Sequence, residues 1–202
     1  MLAADNLECE RGGRTLFSAL SFALRPGEAL RIAGANGSGK TSLLRILCGL
    51  LLPTQGHVQW NGSDIARLRE DYSTQLVYLG HAPAVKDDLT AAENLSITAS
   101  LSGLKASKEA VHEALARFGL SGNDVPAKRL SQGQRRRAAL ARLVVSESRP
   151  LWLLDEPFSA LDLEGVSIAG SLIVEHLARG GAVAFTTHQD AGIAAARVIE
   201  LS

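Results

Sequence analysis

Apolar positions along the chain alternate in short runs, shift to helical spacing, and then alternate again. Leu20, Phe22 and Leu24 alternate with small or polar neighbours and stop at Arg25-Pro26-Gly27-Glu28, which reads as a turn. Residues 29–33 form a second strand that runs straight into Gly34. Beyond the glycines, Leu43, Leu44, Leu47 and Leu50 recur at helical spacing, predicting a helix over 42–50 closed by Pro53. Val58 and Trp60 alternate in a strand that ends at Asn61-Gly62, and 76–79 is another strand.

The middle of the chain changes period. Thr90-Ala91-Ala92-Glu93 is a capping box that opens one helix, and Ser107 precedes a second with Val111, Leu115 and Phe118 on one face. Ser131 to Gln134 is a third cap, ahead of a long helix. These helices read as an insertion between strands. The tail then returns to alternation: a strand over 151–154, a helix near 164–178, a strand over 182–186 and a last strand near 198–201. Strands alternating with helices predict an α/β fold with a mostly parallel sheet. One domain over 1–202 is expected, with 1–84 and 147–202 as its core and 85–146 as a helical subdomain.

Composition narrows this only a little. At 202 residues, 46% hydrophobic and 21% charged, the chain can bury an ordinary core. Its net charge of zero gives no argument for nucleic acid or anionic lipid as a partner. Cys9 and Cys48 form no metal or haem-attachment motif, and they suit a reducing compartment. Met1-Leu2-Ala3-Ala4-Asp5 lacks the basic region of a signal peptide. The most apolar run, 43–52, is broken by Arg45 and is shorter than the roughly 20 residues that span a bilayer. Work at a membrane would therefore need another chain to hold this one there.

The candidate chemistry starts at Gly34-Ala35-Asn36-Gly37-Ser38-Gly39-Lys40-Thr41, between a predicted strand and a predicted helix. Glycines there let backbone N–H groups converge on phosphates, and the helix N-terminus, with Ser42 in its first turn, adds partial positive charge. Lys40 would reach the β- and γ-phosphates, and the Thr41 hydroxyl would bind Mg²⁺. A second apolar run, Leu151-Trp152-Leu153-Leu154, delivers Asp155 and Glu156 at its end. Asp155 is placed to hold the Mg²⁺ shell and Glu156 to take a proton from attacking water. Taken alone, the two acids could equally be a strand terminus or a helix cap.

Ser131-Gln132-Gly133-Gln134 is physically adequate as a mere cap, yet the same geometry would offer N–H groups and a hydroxyl to a γ-phosphate. Arg135-Arg136-Arg137 reads mostly as a solvated helix face. His188, just past the strand at 182–186, could contact a γ-phosphate or be a satisfied histidine at the edge of the core.

In this order the motifs resemble the ATP-binding cassette family along nearly the whole chain. Gly34 to Thr41 is similar to Walker A, Leu130 to Gln134 to the signature, Leu151 to Glu156 to Walker B, Ser159-Ala160-Leu161-Asp162 to the D-loop, and His188 to the switch histidine. The resemblance implies a P-loop NTPase with a mostly parallel core sheet, an N-terminal antiparallel β part and a helical subdomain. It also implies a head-to-tail dimer with a second copy. Each ATP would lie between one Walker A and the partner's Ser131, Gly133 and Gln134. Glu156 would be the catalytic base and His188 the γ-phosphate sensor.

Two positions depart from the family pattern. Where an aromatic normally stacks on adenine, this chain has Arg11, whose guanidinium plane can also stack on a purine. Where a glutamine normally contacts Mg²⁺ and water, it has His81, which can accept a hydrogen bond but, unlike glutamine, can also gain a proton. Cys9-Glu10-Arg11, Tyr78-Leu79-Gly80-His81 and the run from Leu130 to Arg137 resemble the ATP-binding subunits of bacterial cytochrome c maturation systems, the haem-exporter ATPases. That resemblance implies a peripheral protein on the cytoplasmic face of the inner membrane, bound to small integral subunits (CcmB-like, with CcmC- and CcmD-like). ATP hydrolysis would drive release of a haem-loaded periplasmic chaperone. In that family the groove at residues 81–100 meets the membrane subunit, which makes Pro83, Ala84 and Val85 candidate contacts. No direct haem binding is expected, because the five histidines are dispersed and neither cysteine pairs with one. The energising subunit of another transporter, or a soluble cassette ATPase in an assembly complex, stay open as alternatives.

Overall fold

The computed structural model describes residues 1–122, 124–188, 193 and 196–201. Its centre is a five-stranded parallel sheet in the order β6-β7-β8-β3-β9, with β3 at Ala29–Gly34, β6 at Leu76–Leu79, β7 at Leu151–Leu154, β8 at Ala182–Thr186 and β9 at Ala196–Leu201. Burial on both faces explains why β7 is an unbroken apolar run rather than an alternating one. Leu151 and Leu153 face one cluster, with Leu30, Ile32 and Ala184, while Trp152 and Leu154 face the other, with Val183 and Phe185.

On the first face pack helix α1 (Lys40–Leu47), through Leu43, Leu44, Ile46 and Leu47, and a four-stranded antiparallel sheet in the order β2-β1-β4-β5. That sheet comprises β1 (Leu2–Arg11), β2 (Arg14–Leu24), β4 (Gln55–Trp60) and β5 (Ser63–Asp64). The β1–β2 hairpin closes on Gly12 and Gly13, both at positive φ, as a two-residue turn between right-twisted strands requires. Two short helices, α2 (Ile65–Leu68) and α3 (Glu70–Ser73), bridge back to β6.

The opposite face carries α4 (Ala91–Leu101), α5 (Lys108–Arg117), α6 (Gln132–Val145) and α7 (Leu163–Ala178). Each of the three expected caps forms. Thr90 and Glu93 make a reciprocal capping box, Ser107 accepts from the Ala110 N–H, and Ser131 and Gln134 make a second box. Beneath α7, His176 lies flat on Trp152, with ring centroids 3.8 Å apart and planes within 7°.

Two local readings need correction. Helix α1 does not run on to Pro53. It ends at Leu47, where Gly49 at φ 75° and the Leu50 N–H donating to the Arg45 carbonyl close it in a C-terminal glycine motif. Strand β1 was not legible at all, because its buried residues change parity. Leu2 and Ala4 are followed by Leu7 and Cys9, and the register shifts at Asn6, which sits at φ 47°. Among the described residues, no helix is long and apolar enough to cross a membrane.

Candidate functional site

The carboxyl ends of three neighbouring strands, β7, β8 and β3, converge on one edge of the sheet, the usual place for a ligand in an open α/β fold. From β3 the chain turns at Gly34. A Cβ there would sit 2.5 Å from the Leu201 carbonyl and 2.6 Å from Ser38 Oγ, so only glycine fits. The loop hands over to α1 through Gly39, which no side chain caps, so the first N–H groups of the helix are left to a ligand. Lys40 Nζ donates to the carbonyls of Gly34 (2.8 Å) and Ala35 (3.0 Å), which holds the ammonium against the loop.

β7 delivers Asp155, 2% exposed, whose two carboxylate oxygens have separate partners. Oδ2 accepts from Thr41 Oγ1 at 2.8 Å and Oδ1 from Thr186 Oγ1 at 2.9 Å. The Thr186 hydroxyl in turn accepts from the Glu156 N–H at 2.8 Å, so a single threonine at the end of β8 fixes both acids. Thr41 and Asp155 together present hard oxygens of the kind a divalent cation takes. Glu156 is set apart from its neighbour. Its backbone is at φ 49°, its Oε1 is buried without a hydrogen-bond partner, and His188 Nε2 stands 3.5 Å from that oxygen.

A cavity of about 640 Å³ opens over these groups. Of the residues expected from sequence, it is lined by Asn36, Gly37, Gly39, Lys40, Thr41, Ser42, His81, Asp155, Glu156 and His188. Gly34, Ala35 and Ser38 shape the loop without lining the cavity. Leu16 and Ser159 also line it. Leu16 was missed because nothing local marks a leucine on β2 as a contact of the phosphate loop. Arg11 lies at the end of β1 and does not line the cavity; Leu16, on the strand returning from its hairpin, does. A larger apolar cavity of about 710 Å³ lies beside the end of α1, near Leu50, Pro53, Ile65 and Tyr72, but neither the phosphate loop nor Asp155 and Glu156 reach it. The polar cavity is therefore the candidate site.

Ser131, Gly133 and Gln134 do not line that cavity. They start α6, where Ser131 N–H donates to Gln134 Oε1 (2.9 Å), Gln134 N–H donates to Ser131 Oγ (3.1 Å), and a Cβ on Gly133 would lie 3.0 Å from the Ala160 carbonyl. The arginines that follow are not a solvated face. Arg135 pairs with Asp87 at 2.7 Å, and Arg137 bonds Asp162 (2.6 Å), Glu164 (3.0 Å) and the Phe118 carbonyl (2.9 Å). Arg136 is 2% exposed. Acceptors from distant segments supply partners that the helical period could not reveal.

His81 is exposed and reaches the cavity from the loop after β6. If it acts on the bound nucleotide, His81→Gln should change the kcat of ATP turnover, and an unchanged kcat would remove that role.

Comparison with known proteins adds the last observations. The family model described as ABC transporter matches residues 17–159. The cytochrome c biogenesis ATP-binding export protein CcmA of Nitrosomonas europaea is 52% identical over 191 residues, 94% of this chain and 89% of that protein. Its counterpart in Dechloromonas aromatica is 51% identical over 202 residues, 100% of this chain and 98% of that protein. Among solved structures, the ATP-binding subunit of an ABC transporter superimposes with a TM-score of 0.88 at 24% identity, covering 100% of this chain and 85% of that one. A dimeric ATP-binding cassette in a post-hydrolysis state, bound to ADP and Pi, superimposes with a TM-score of 0.86 at 24% identity, covering 100% and 94%. These structural matches show a shared fold.

Proposed function

The chain belongs to the ABC transporter family, and from that membership we propose that it is the ATP-hydrolysing subunit of a haem-export complex serving cytochrome c biogenesis. The observation that carries the ATPase reading is the separation of two adjacent acids. Asp155 is tied to Thr41 at 2.8 Å, while Glu156 holds a buried, hydrogen-bond-free oxygen 3.5 Å from His188. The export reading is supported by relatives about half identical over nearly the whole chain.

In this reading the N–H groups from Gly34 to Ser42, with Lys40, bind the phosphates. Thr41 and Asp155 would hold Mg²⁺, with His81 beside them, and such an ion would supply charge to neutralise the phosphates. Glu156 takes a proton from the attacking water, and His188 reports the γ-phosphate next to it. Leu16 supplies an apolar wall, and Arg11, outside the cavity lining, would stack only on an adenine that projects past Leu16. A second copy closes the site with its own Ser131, Gly133 and Gln134. Residues 85–146 form a helical subdomain on a core of 1–84 and 147–202. Pro83, Ala84 and Val85 contact a CcmB-like membrane subunit, with CcmC- and CcmD-like partners, at the cytoplasmic face of the inner membrane. Hydrolysis drives release of a haem-loaded periplasmic chaperone.

Loss of the gene should abolish c-type cytochromes detected by haem staining. The native chain should restore them, whereas Lys40→Ala or Glu156→Gln should not; normal cytochromes without the protein would defeat the proposal. The dimer has its own test. Ser131→Ala should leave ATP bound to the monomer but prevent ATP-dependent dimerisation, followed by light scattering. A substitution that only removed a cap would cost about 1 kcal/mol of stability and move both readouts together.

A further inference from the structure

The guanidinium of Arg136 occupies the seam between the signature helix and the catalytic acids. It is 2% exposed, and all of its N–H donors are engaged by backbone carbonyls. Nε donates to Pro157 (3.3 Å), Nη1 to Gly80 (3.1 Å) and His81 (3.3 Å), and Nη2 to Asp155 (2.9 Å) and Glu156 (2.5 Å). The five acceptors come from two segments distant in sequence, the loop after β6 and the turn after β7. None is a carboxylate. Burial pulls the guanidinium below its ordinary value, and the nearby Asp155 and Glu156 charges act against that.

The carbonyls it grips bracket an unfavourable conformation. Glu156 is a non-glycine residue at φ 49°, a geometry that persists only where its surroundings over-determine it. Thr186 Oγ1 holds the Glu156 N–H from one side, and Arg136 holds the Glu156 carbonyl from the other. The same arginine stands two residues beyond Gln134 on α6, whose first turn carries the capping box. A rigid planar fork thus ties the start of α6 to the backbone of Glu156 and His81.

We propose that Arg136 is a positioning residue for hydrolysis: it fixes the backbone that aims the Glu156 carboxylate and couples that aim to the first turn of α6. The inference rests on Glu156 being the base. Lysine is the informative replacement, because it keeps the charge but its ammonium is a point donor without the planar fork that spans both segments.

Arg136→Lys should lower kcat about 10²-fold, the scale of a misplacement of roughly 1 Å at a reacting group, while KM and the affinity for a fluorescent ATP analogue stay near native. In a Glu156→Gln background the same change should add little further loss, since the group it positions is already gone. Should Arg136→Lys fail to fold, Arg136→Gln serves, judged by the same split between kcat and KM. An unchanged kcat, a rise in KM that tracks the fall in kcat, or losses that multiply in the double variant would each overturn the positioning role and reduce Arg136 to a buried structural cation. A Glu156→Gln protein that keeps its turnover would instead overturn the base assignment, and this inference with it.

Discussion

Replacing Glu156 by glutamine is expected to leave ATP bound and to cut its hydrolysis about 10²–10⁴-fold, the usual worth of a general base. The substitution keeps size and shape, so the packing of a side chain only 18% exposed is preserved. Its backbone anchors, to Thr186 Oγ1 and Arg136, do not involve the carboxylate and survive the change. What disappears is the carboxylate, whose Oε1 is buried without a hydrogen-bond partner and is free to accept a proton. Asp155 cannot substitute, because both of its oxygens accept from threonine hydroxyls. Phosphate release assayed alongside binding of a fluorescent nucleotide separates the two effects. Turnover near the native rate with binding intact would show that Glu156 is not the base.

Acid should destabilise the fold through His176 before most carboxylates matter. This histidine is 2% exposed and stacked on Trp152, and a Cβ at Gly181 would fall 2.1 Å from its Nε2, so the ring is held on both sides. Burial, reinforced by the Arg179 charge, pushes the imidazole down to about 4 from its ordinary 6.5. The unfolded chain therefore binds a proton near pH 6.5 that the folded chain refuses until about pH 4. Stability conferred by the neutral ring is complete above 6.5 and is lost as pH falls through that window, by roughly 3 kcal/mol at most. Urea midpoints across the window should fall more steeply for the native protein than for His176→Phe, which retains an aromatic on Trp152. Equal slopes would mean that His176 stays neutral in both states or is protonated in both.

What could be read from the sequence was whatever a few consecutive residues settle among themselves. The phosphate loop is such a case, since its glycines, lysine and threonine act within one turn. So are the caps at Thr90 and Ser131, each closed over three residues. Strand β7 was legible because burial on both faces leaves no choice but an apolar run. The missing pieces were decided at a distance. Thr186 gained its role from a carboxylate 31 positions away, and Arg136 became buried because carbonyls from two other segments solvate it. Leu16 faces the phosphate loop only because the β1–β2 hairpin folds over Gly39. Strand β1 escaped for the opposite reason: one residue at positive φ, Asn6, reversed the parity on which strand reading depends.

The neighbours of β3 set a timetable for synthesis. The strand that bears the phosphate loop is made well before its neighbours, because it pairs with β8 on one side and β9 on the other, and Gly34 is backed by the Leu201 carbonyl. At ribosomal speeds of about 5–20 residues per second, those partners emerge on the order of ten seconds later. Until then the loop has no sheet beneath it, so a half-made chain is without the braced cradle that holds phosphate. A ribosome-bound chain that stops short of β8 therefore lacks the backing that β3 and its loop have in the fold.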